Sequence, residues 1–70
     1  MAYRAGRCLL RQRLNYIRKS QKWLAETTGF TESRISDYIR NERLMSLSAA
    51  KTIAAAIGCS IDDLYDWEKE

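Results

Sequence analysis

Residues 20–43 read SQKWLAETTGFTESRISDYIRNER, and this stretch predicts two short helices joined by a tight turn. Ser20 is typical of a helix N-cap, since its side-chain oxygen can accept a hydrogen bond from a free N–H of the first turn. Gly29 can adopt the left-handed conformation in which many helices end. The first helix is therefore predicted over residues 21–28.

A second helix is predicted over about residues 32–40. Thr31 is a suitable N-cap, and Glu32 in the first turn favours the positive end of the helix dipole. Asn41 follows the helix, and asparagine tolerates a left-handed stop well. The turn between the two helices is thus only a few residues long.

The second helix is amphipathic. At about 100° per residue, its polar side chains fall within one arc of roughly 140°. These polar residues are Glu32, Ser33, Ser36, Asp37 and Arg40. Ile35, Tyr38 and Ile39 lie on the opposite side. A helix that packs through one face and presents hydrogen-bonding groups on the other is suited to reading base edges in a DNA major groove.

Residues 8–65 resemble the lambda-repressor-like (Cro and Xre) helix-turn-helix domain. The matching residues, in chain order, are Ser20-Gln21, Leu24-Ala25, Gly29, Ile35-Ser36, Ser46-Leu47 and the run from Ile57 to Leu64. They occur in the family's order and spacing over most of the chain. The resemblance implies an all-α, compact five-helix fold that binds double-stranded DNA.

Length and composition agree with a single small domain. The chain has 70 residues, no proline and 3 glycines, which favours helices. No apolar run approaches the ~20 residues of a membrane span, and no apolar block follows the basic N-terminus as in a signal peptide. We expect a cytoplasmic, nucleoid-associated protein that does not bind membranes.

Charge is unevenly distributed along the chain. Up to Arg43, ten basic side chains face four acidic ones, a net charge of +6; from Leu44 onward two face five, a net charge of −3. This asymmetry suggests that one surface meets a polyanion. The alternative is that the charges only keep a small domain soluble.

The sequence argues against an enzyme. It has no histidine, which excludes histidine-based catalytic groups and metal sites, and it has no Walker or dinucleotide motif. Cys8 and Cys59 lack the spacing of a metal site, and we expect buried thiols rather than a disulfide. No cofactor is expected.

The remaining chain divides simply. Residues 1–6 are expected to be flexible, although Arg4 could reach into a minor groove as basic arms do. The DNA-binding domain spans residues 7–67, with further helices at about 7–17, 47–57 and 61–67, and residues 68–70 form a tail. Tyr65 and Trp67 are either the edge of the core or a dimer surface.

Three features depart from the family pattern. Many members pair an arginine with a glutamate at the positions of Leu14 and Ile39, so we expect these two apolar side chains to touch. Arg18 and Lys19 stand where the family usually has an apolar residue and a glycine. Trp23 stands at a usually polar position and either packs against a neighbour or contacts a phosphate or another protein.

Phosphate contacts are expected to supply most of the affinity for DNA. Gln21 is the leading candidate, because its N–H lies at a helix N-terminus, which favours an anion. The other candidates are Lys22, Arg40, Asn41, Arg43 and, more weakly, Arg11.

Base contacts are expected from the second helix of the motif. The candidates are Glu32, Ser33, Ser36 and Asp37, with Arg34 at the flank. The resemblance implies that the first, second and sixth positions read bases. Acidic side chains can accept from the cytosine amino group. Alternatively, Asp37 pairs with Arg34 and orients it towards guanine, and Glu32 only complements the helix dipole.

Two functions fit these features. The first is a sequence-specific DNA-binding transcriptional regulator, resembling a small phage-type repressor, that binds a palindromic operator as a homodimer. The second is a protein-interaction module on the same fold, such as an antitoxin or anti-repressor; the acidic groups on the recognition face and the two tryptophans motivate it.

Overall fold

A computed structural model describes residues 1–70. In chain order, the elements are strand β1 (Tyr3–Cys8), helices α1 (Leu10–Ile17), α2 (Gln21–Thr28), α3 (Glu32–Ile39) and α4 (Leu47–Ile57), a 3-10 turn (Ile61–Leu64) and strand β2 (Tyr65–Lys69). None of the helices has the length and apolar character needed to cross a membrane.

The helix boundaries follow from the capping residues that the sequence predicted. The side chains of Ser20, Thr31 and Ser46 each accept the backbone N–H three residues later, at 3.0–3.1 Å. Gly29 and Gly58 end α2 and α4 in the left-handed conformation, at φ 82° and 77°. Each N-cap stabilises its helix by about 1 kcal/mol, so these short helices have defined ends.

The predicted fifth helix at residues 61–67 was wrong, and so was the all-α fold class. Ser60 and Asp63 do form the expected capping box, with the Ser60 N–H 3.1 Å from Asp63 Oδ2. The turn stops at Leu64, however, and the chain continues as β2. Within residues 65–69, the apolar side chains of Tyr65 and Trp67 alternate with charged ones. This two-residue period suits a strand better than a helix.

The N-terminus is a strand rather than the flexible end that we expected. β1 pairs with β2 in antiparallel fashion, with Arg4 opposite Glu68 and Cys8 opposite Tyr65, and the register shifts between Ala5 and Cys8. We call this two-stranded sheet the terminal ribbon. Helix α1 consequently begins at Leu10 instead of Arg7.

The basic arm suggested for Arg4 is likewise not free. Its guanidinium lies 2.9 Å from a Glu68 carboxylate oxygen and 3.7 Å from that of Glu70. Both carboxylates belong to the opposite end of the chain, so Arg4 ties the two strands together instead of extending towards DNA.

The core lies between the four helices and the start of β2. Its largest fully buried side chains are Leu10, Leu24, Ile35, Tyr38, Ile53 and Leu64. The alanines of α4 allow close helix approach, and the Tyr65 hydroxyl accepts the buried N–H of Met45 at 3.1 Å. Helix α3 packs against this core through one side only, so the polar face of α3 lies outside the core.

Candidate nucleic-acid interface

The α2–turn–α3 unit has the predicted helix-turn-helix geometry. The Gly29 N–H donates to the Ala25 carbonyl at 2.9 Å, which closes α2 before the chain turns. Helix α3 is anchored by Ile35 and Tyr38, whose side chains are 0% and 1% exposed. Its amphipathic orientation is therefore as predicted.

The polar residues of α3 form an outward face. Three of these residues are exposed, namely Glu32, Ser33 and, at the end of the helix, Arg40. The other two, Ser36 and Asp37, are half-buried. A polar face presented by a helix whose other side is fixed to the core is the arrangement that recognition helices use in a major groove.

Arg40 lies between two carboxylates on this face. One terminal nitrogen is 3.1 Å from Asp37 Oδ1, and Nε is 3.1 Å from Glu42 Oε2. Asp37 therefore pairs with Arg40, and the alternative pairing with Arg34 is not formed. All three side chains keep substantial contact with water, so the pairs are weak and can exchange partners.

Arg34 is held differently. Its Nε–H donates to the Tyr38 hydroxyl at 2.7 Å, and its guanidinium lies 4.1 Å from the centroid of the Phe30 ring. The Tyr38 ring is 5.7 Å away. Arg34 is thus fixed by a stacking contact and a hydrogen bond, without an acidic partner.

Asn41, one of the predicted phosphate contacts, is held by hydrogen bonds within the fold. Its Oδ1 accepts the Cys8 N–H at 2.8 Å, and its Nδ2 donates to the Gly6 carbonyl at 2.9 Å. The predicted left-handed conformation is present, at φ 59°. Both ends of the amide are engaged, so Asn41 links the end of the motif to strand β1.

A polar cleft of about 240 Å³ lies beside the N-terminus of α2. Arg11 and Gln21, two predicted phosphate contacts, line it together with Lys19, which sequence reasoning did not select. Leu14 and Ile39, the two positions expected to touch, line the same cleft. The cleft combines positive charge with free N–H groups of a helix start, a combination that suits a phosphate.

The position of Lys19 directly before the Ser20 cap is the sequence signal that could have identified it. Its ammonium also lies 5.3 Å from the centroid of the Trp23 ring. Trp23 is half-buried and packs against the core, the first of the two alternatives considered for it. Lys22 and Arg43, the other predicted phosphate contacts, are exposed.

Trp67 belongs to the terminal ribbon and not to the α3 face. Its indole N–H donates to the Asp62 carbonyl at 3.0 Å, and its ring lies 5.7 Å from that of Tyr65. The side chain remains 41% exposed. Its contacts therefore lie within the terminal ribbon and the 3-10 turn.

The cysteines are free thiols. Cys8, the last residue of β1, is buried, and burial raises the pKa of its thiol above the ordinary value. Burial also raises the pKa of Cys59, with a further contribution from the neighbouring Asp63 carboxylate. Both thiols are accordingly protonated at neutral pH and poor nucleophiles.

Comparison with known proteins agrees with this geometry. The family model described as the Cro/C1-type HTH DNA-binding domain matches residues 10–70, which include the whole of the motif. The chain belongs to this family. The matched residues begin after β1, so the family's pattern accounts for the helices and the end of the chain but not for the first strand.

Two relatives come from the SPbeta prophage of Bacillus subtilis (strain 168). The uncharacterized HTH-type transcriptional regulator YopS is 36% identical over 66 residues, covering 93% of this chain and 89% of YopS. The uncharacterized HTH-type transcriptional regulator YotL is 47% identical over 45 residues, covering 63% of this chain and 56% of YotL. The chain is thus an HTH-type protein similar to regulators of prophage origin.

Proposed function

We propose that this protein is a sequence-specific, double-stranded DNA-binding transcriptional regulator of the small phage-repressor type. The observation that carries the proposal is helix α3, which is anchored to the core by Ile35 and Tyr38 and presents an outward polar face. A rigid helix of this kind, beside a basic cleft, is suited to the major groove.

The cleft at the start of α2 would receive a backbone phosphate. Gln21 supplies a first-turn N–H and an amide side chain, while Arg11 and Lys19 supply charge. Lys22 and Arg43, which are exposed, would extend the phosphate contacts on either side. Base edges would be read by Glu32, Ser33, Ser36 and Asp37.

The regulator would act by occupancy, repressing a promoter as a homodimer on a palindromic operator. Two copies of α3 would then occupy half-sites about one helical turn, ~34 Å, apart. The family membership and the two prophage relatives support a regulatory role. No catalytic step is required of such a protein, and its place would be the cytoplasm, on the nucleoid.

One observation favours the second candidate, a module that binds another protein. Glu32, Asp37 and Glu42 lie on or beside the outward face of α3, and negative charge opposes approach to DNA. Arg40 compensates two of these carboxylates, however, and Arg34 and Arg43 carry no acidic partner. The DNA-binding function is therefore the stronger candidate.

Selection from a pool of random duplexes tests the proposal. The purified chain is mixed with the pool at two salt concentrations, and the bound fraction is sequenced. We expect an enriched palindrome and an affinity that falls steeply with salt, because phosphate contacts release counterions. Weak binding without an enriched motif at either concentration would contradict the proposal and favour the protein-interaction module.

A further inference from the structure

Arg34 is the only basic residue within α3 itself. The arginines at positions 4, 13 and 40 are each paired with carboxylates of the chain, whereas Arg34 has none. It is nonetheless held in place, because Phe30 stacks under its guanidinium and the Tyr38 hydroxyl accepts its Nε–H. The chain thus positions this charge without neutralising it.

This arrangement leaves one edge of the guanidinium unused. Nε is engaged by Tyr38 at 2.7 Å, while no hydrogen bond within the chain involves the two terminal nitrogens. The Phe30 ring centroid, 4.1 Å from the guanidinium carbon, and the Tyr38 hydroxyl on Nε together restrict the orientation of those nitrogens. A planar fork of N–H donors in a fixed orientation is suited to a bidentate acceptor.

We propose that Arg34 is a specificity-determining residue that reads a guanine of the operator through its O6 and N7 atoms in the major groove. This inference rests on the proposed function, and it identifies one base that the operator must contain. Arginine on guanine is the commonest specific contact of this geometry. The carboxylates of Glu32 and Asp37 and the single hydroxyls of Ser33 and Ser36 do not supply two such donors. Arg40 would first have to leave its ion pairs with Asp37 and Glu42, whereas Arg34 has no acidic partner to leave.

The aromatic support gives Arg34 a further advantage over a free side chain. Immobilising a long, flexible side chain on binding costs roughly 1 kcal/mol in conformational entropy. Phe30 and Tyr38 impose that order already in the unbound protein. Forming the contact therefore costs little side-chain entropy. We expect most of its binding energy to be available for discriminating between bases.

The test compares Arg34→Lys with the unaltered chain in selections from the random duplex pool. Lysine keeps the positive charge but lacks the fork and the stacking plane. Arg43→Lys is the matched control, because Arg43 is exposed, lies outside α3 and has no ion pair. Thermal unfolding of each variant establishes that it is folded.

We expect Arg34→Lys to lose the preference for guanine at one position of each half-site, while Arg43→Lys keeps the whole motif. Replacing that guanine by 7-deazaguanine, which lacks the N7 acceptor, should weaken binding of the unaltered chain by roughly tenfold or more. The same replacement should have little effect on Arg34→Lys. Tyr38→Phe, which removes only the acceptor hydroxyl, should weaken the preference at the same position.

Two results would overturn the inference, and they are distinguishable. If Arg34→Lys binds every sequence more weakly but retains the motif, and no 7-deazaguanine weakens the unaltered chain, Arg34 contacts phosphate or only supports the fold. If the unaltered chain enriches no motif, the proposed function itself fails. Should Arg34→Lys not fold, Tyr38→Phe and the 7-deazaguanine series decide the question.

Discussion

At the scale of single residues, the structure shows which departures from the family pattern carry a cost. Arg18 ends α1 in the left-handed conformation at φ 59°, where a side chain is strained. Its N–H donates to the Asn15 carbonyl at 3.1 Å, and the Lys19 N–H donates to Leu14 at 3.0 Å. Two backbone hydrogen bonds therefore stabilise the turn, although arginine is not a residue that favours the left-handed conformation.

Arg18→Gly should stabilise the domain. Removing the side chain relieves the left-handed strain and should raise the free energy of unfolding by about 1 kcal/mol. Urea titration followed by circular dichroism measures it. Arg18→Ala is the control, because it removes the same charge and keeps the strain; an equal gain in both variants would attribute the effect to charge.

Asp37 should control sequence preference through its contact with Arg40. Asp37→Asn weakens one of the two ion pairs of Arg40 and changes a candidate base contact, so we expect altered sequence preference with stronger binding to duplexes in general. Glu42→Gln weakens the other ion pair but changes no residue of α3, so it should raise affinity and keep the motif. Selection with both variants compares them, and identical motifs would show that Asp37 reads no base.

At the scale of the elements, the helices were predictable and the ribbon was not. Ser20, Thr31, Ser46 and Gly29 act within a few residues of themselves, so local sequence suffices to place the helix ends. The pairing of β1 with β2 joins the two ends of the chain, and no local pattern specifies such a partner. The only local indication of a strand was the two-residue alternation of apolar and charged side chains in residues 65–69.

The link between the motif and the ribbon is Asn41, and removing it should loosen both. Asn41→Gly keeps the left-handed conformation but deletes the hydrogen bonds to Cys8 and Gly6. We expect a loss of about 1–3 kcal/mol in the free energy of unfolding, since these backbone groups lose their partner. An unchanged midpoint in urea would show that water replaces the amide.

The ribbon itself should depend on Gly6. A Cβ at this position would clash with the Asp66 carbonyl oxygen, which is backbone and cannot move aside alone. Gly6→Ala should therefore separate the strands and cost about 1–3 kcal/mol. Arg7→Ala, at an exposed neighbour, is the control. Amide exchange measures the effect, and full protection of β2 in Gly6→Ala would contradict the packing described here.

At the scale of the whole molecule, the acidic and basic residues that make the sequence asymmetric in charge lie in different elements. The acidic residues after Leu44 lie in the 3-10 turn, in β2 and at Glu70, where Glu68 and Glu70 pair with Arg4. Arg11 and Lys19 line the cleft at the start of α2. Arg11 and Lys19, two of the basic residues proposed to meet a polyanion, thus lie together beside the motif.

How much of this site could be foreseen depended on the range of the interactions. The outward face of α3 followed from helical periodicity alone. The partners of Arg34, Arg40 and Asn41 did not, because several side chains of each type could reach them and only the packed structure selects one. The cleft that brings Lys19 beside Arg11 likewise requires the angle between α1 and α2.

An NMR titration of the labelled chain with a duplex obtained by selection, recording backbone amide shifts, would identify the surface that meets DNA. We predict the largest changes at Gln21 and Lys22 and along α3, with the terminal ribbon little affected away from a dimer contact. The same map with an unrelated duplex should show changes at the α2 start alone. Largest changes on the ribbon, with α3 unchanged, would contradict the assignment of α3 as the surface that reads DNA.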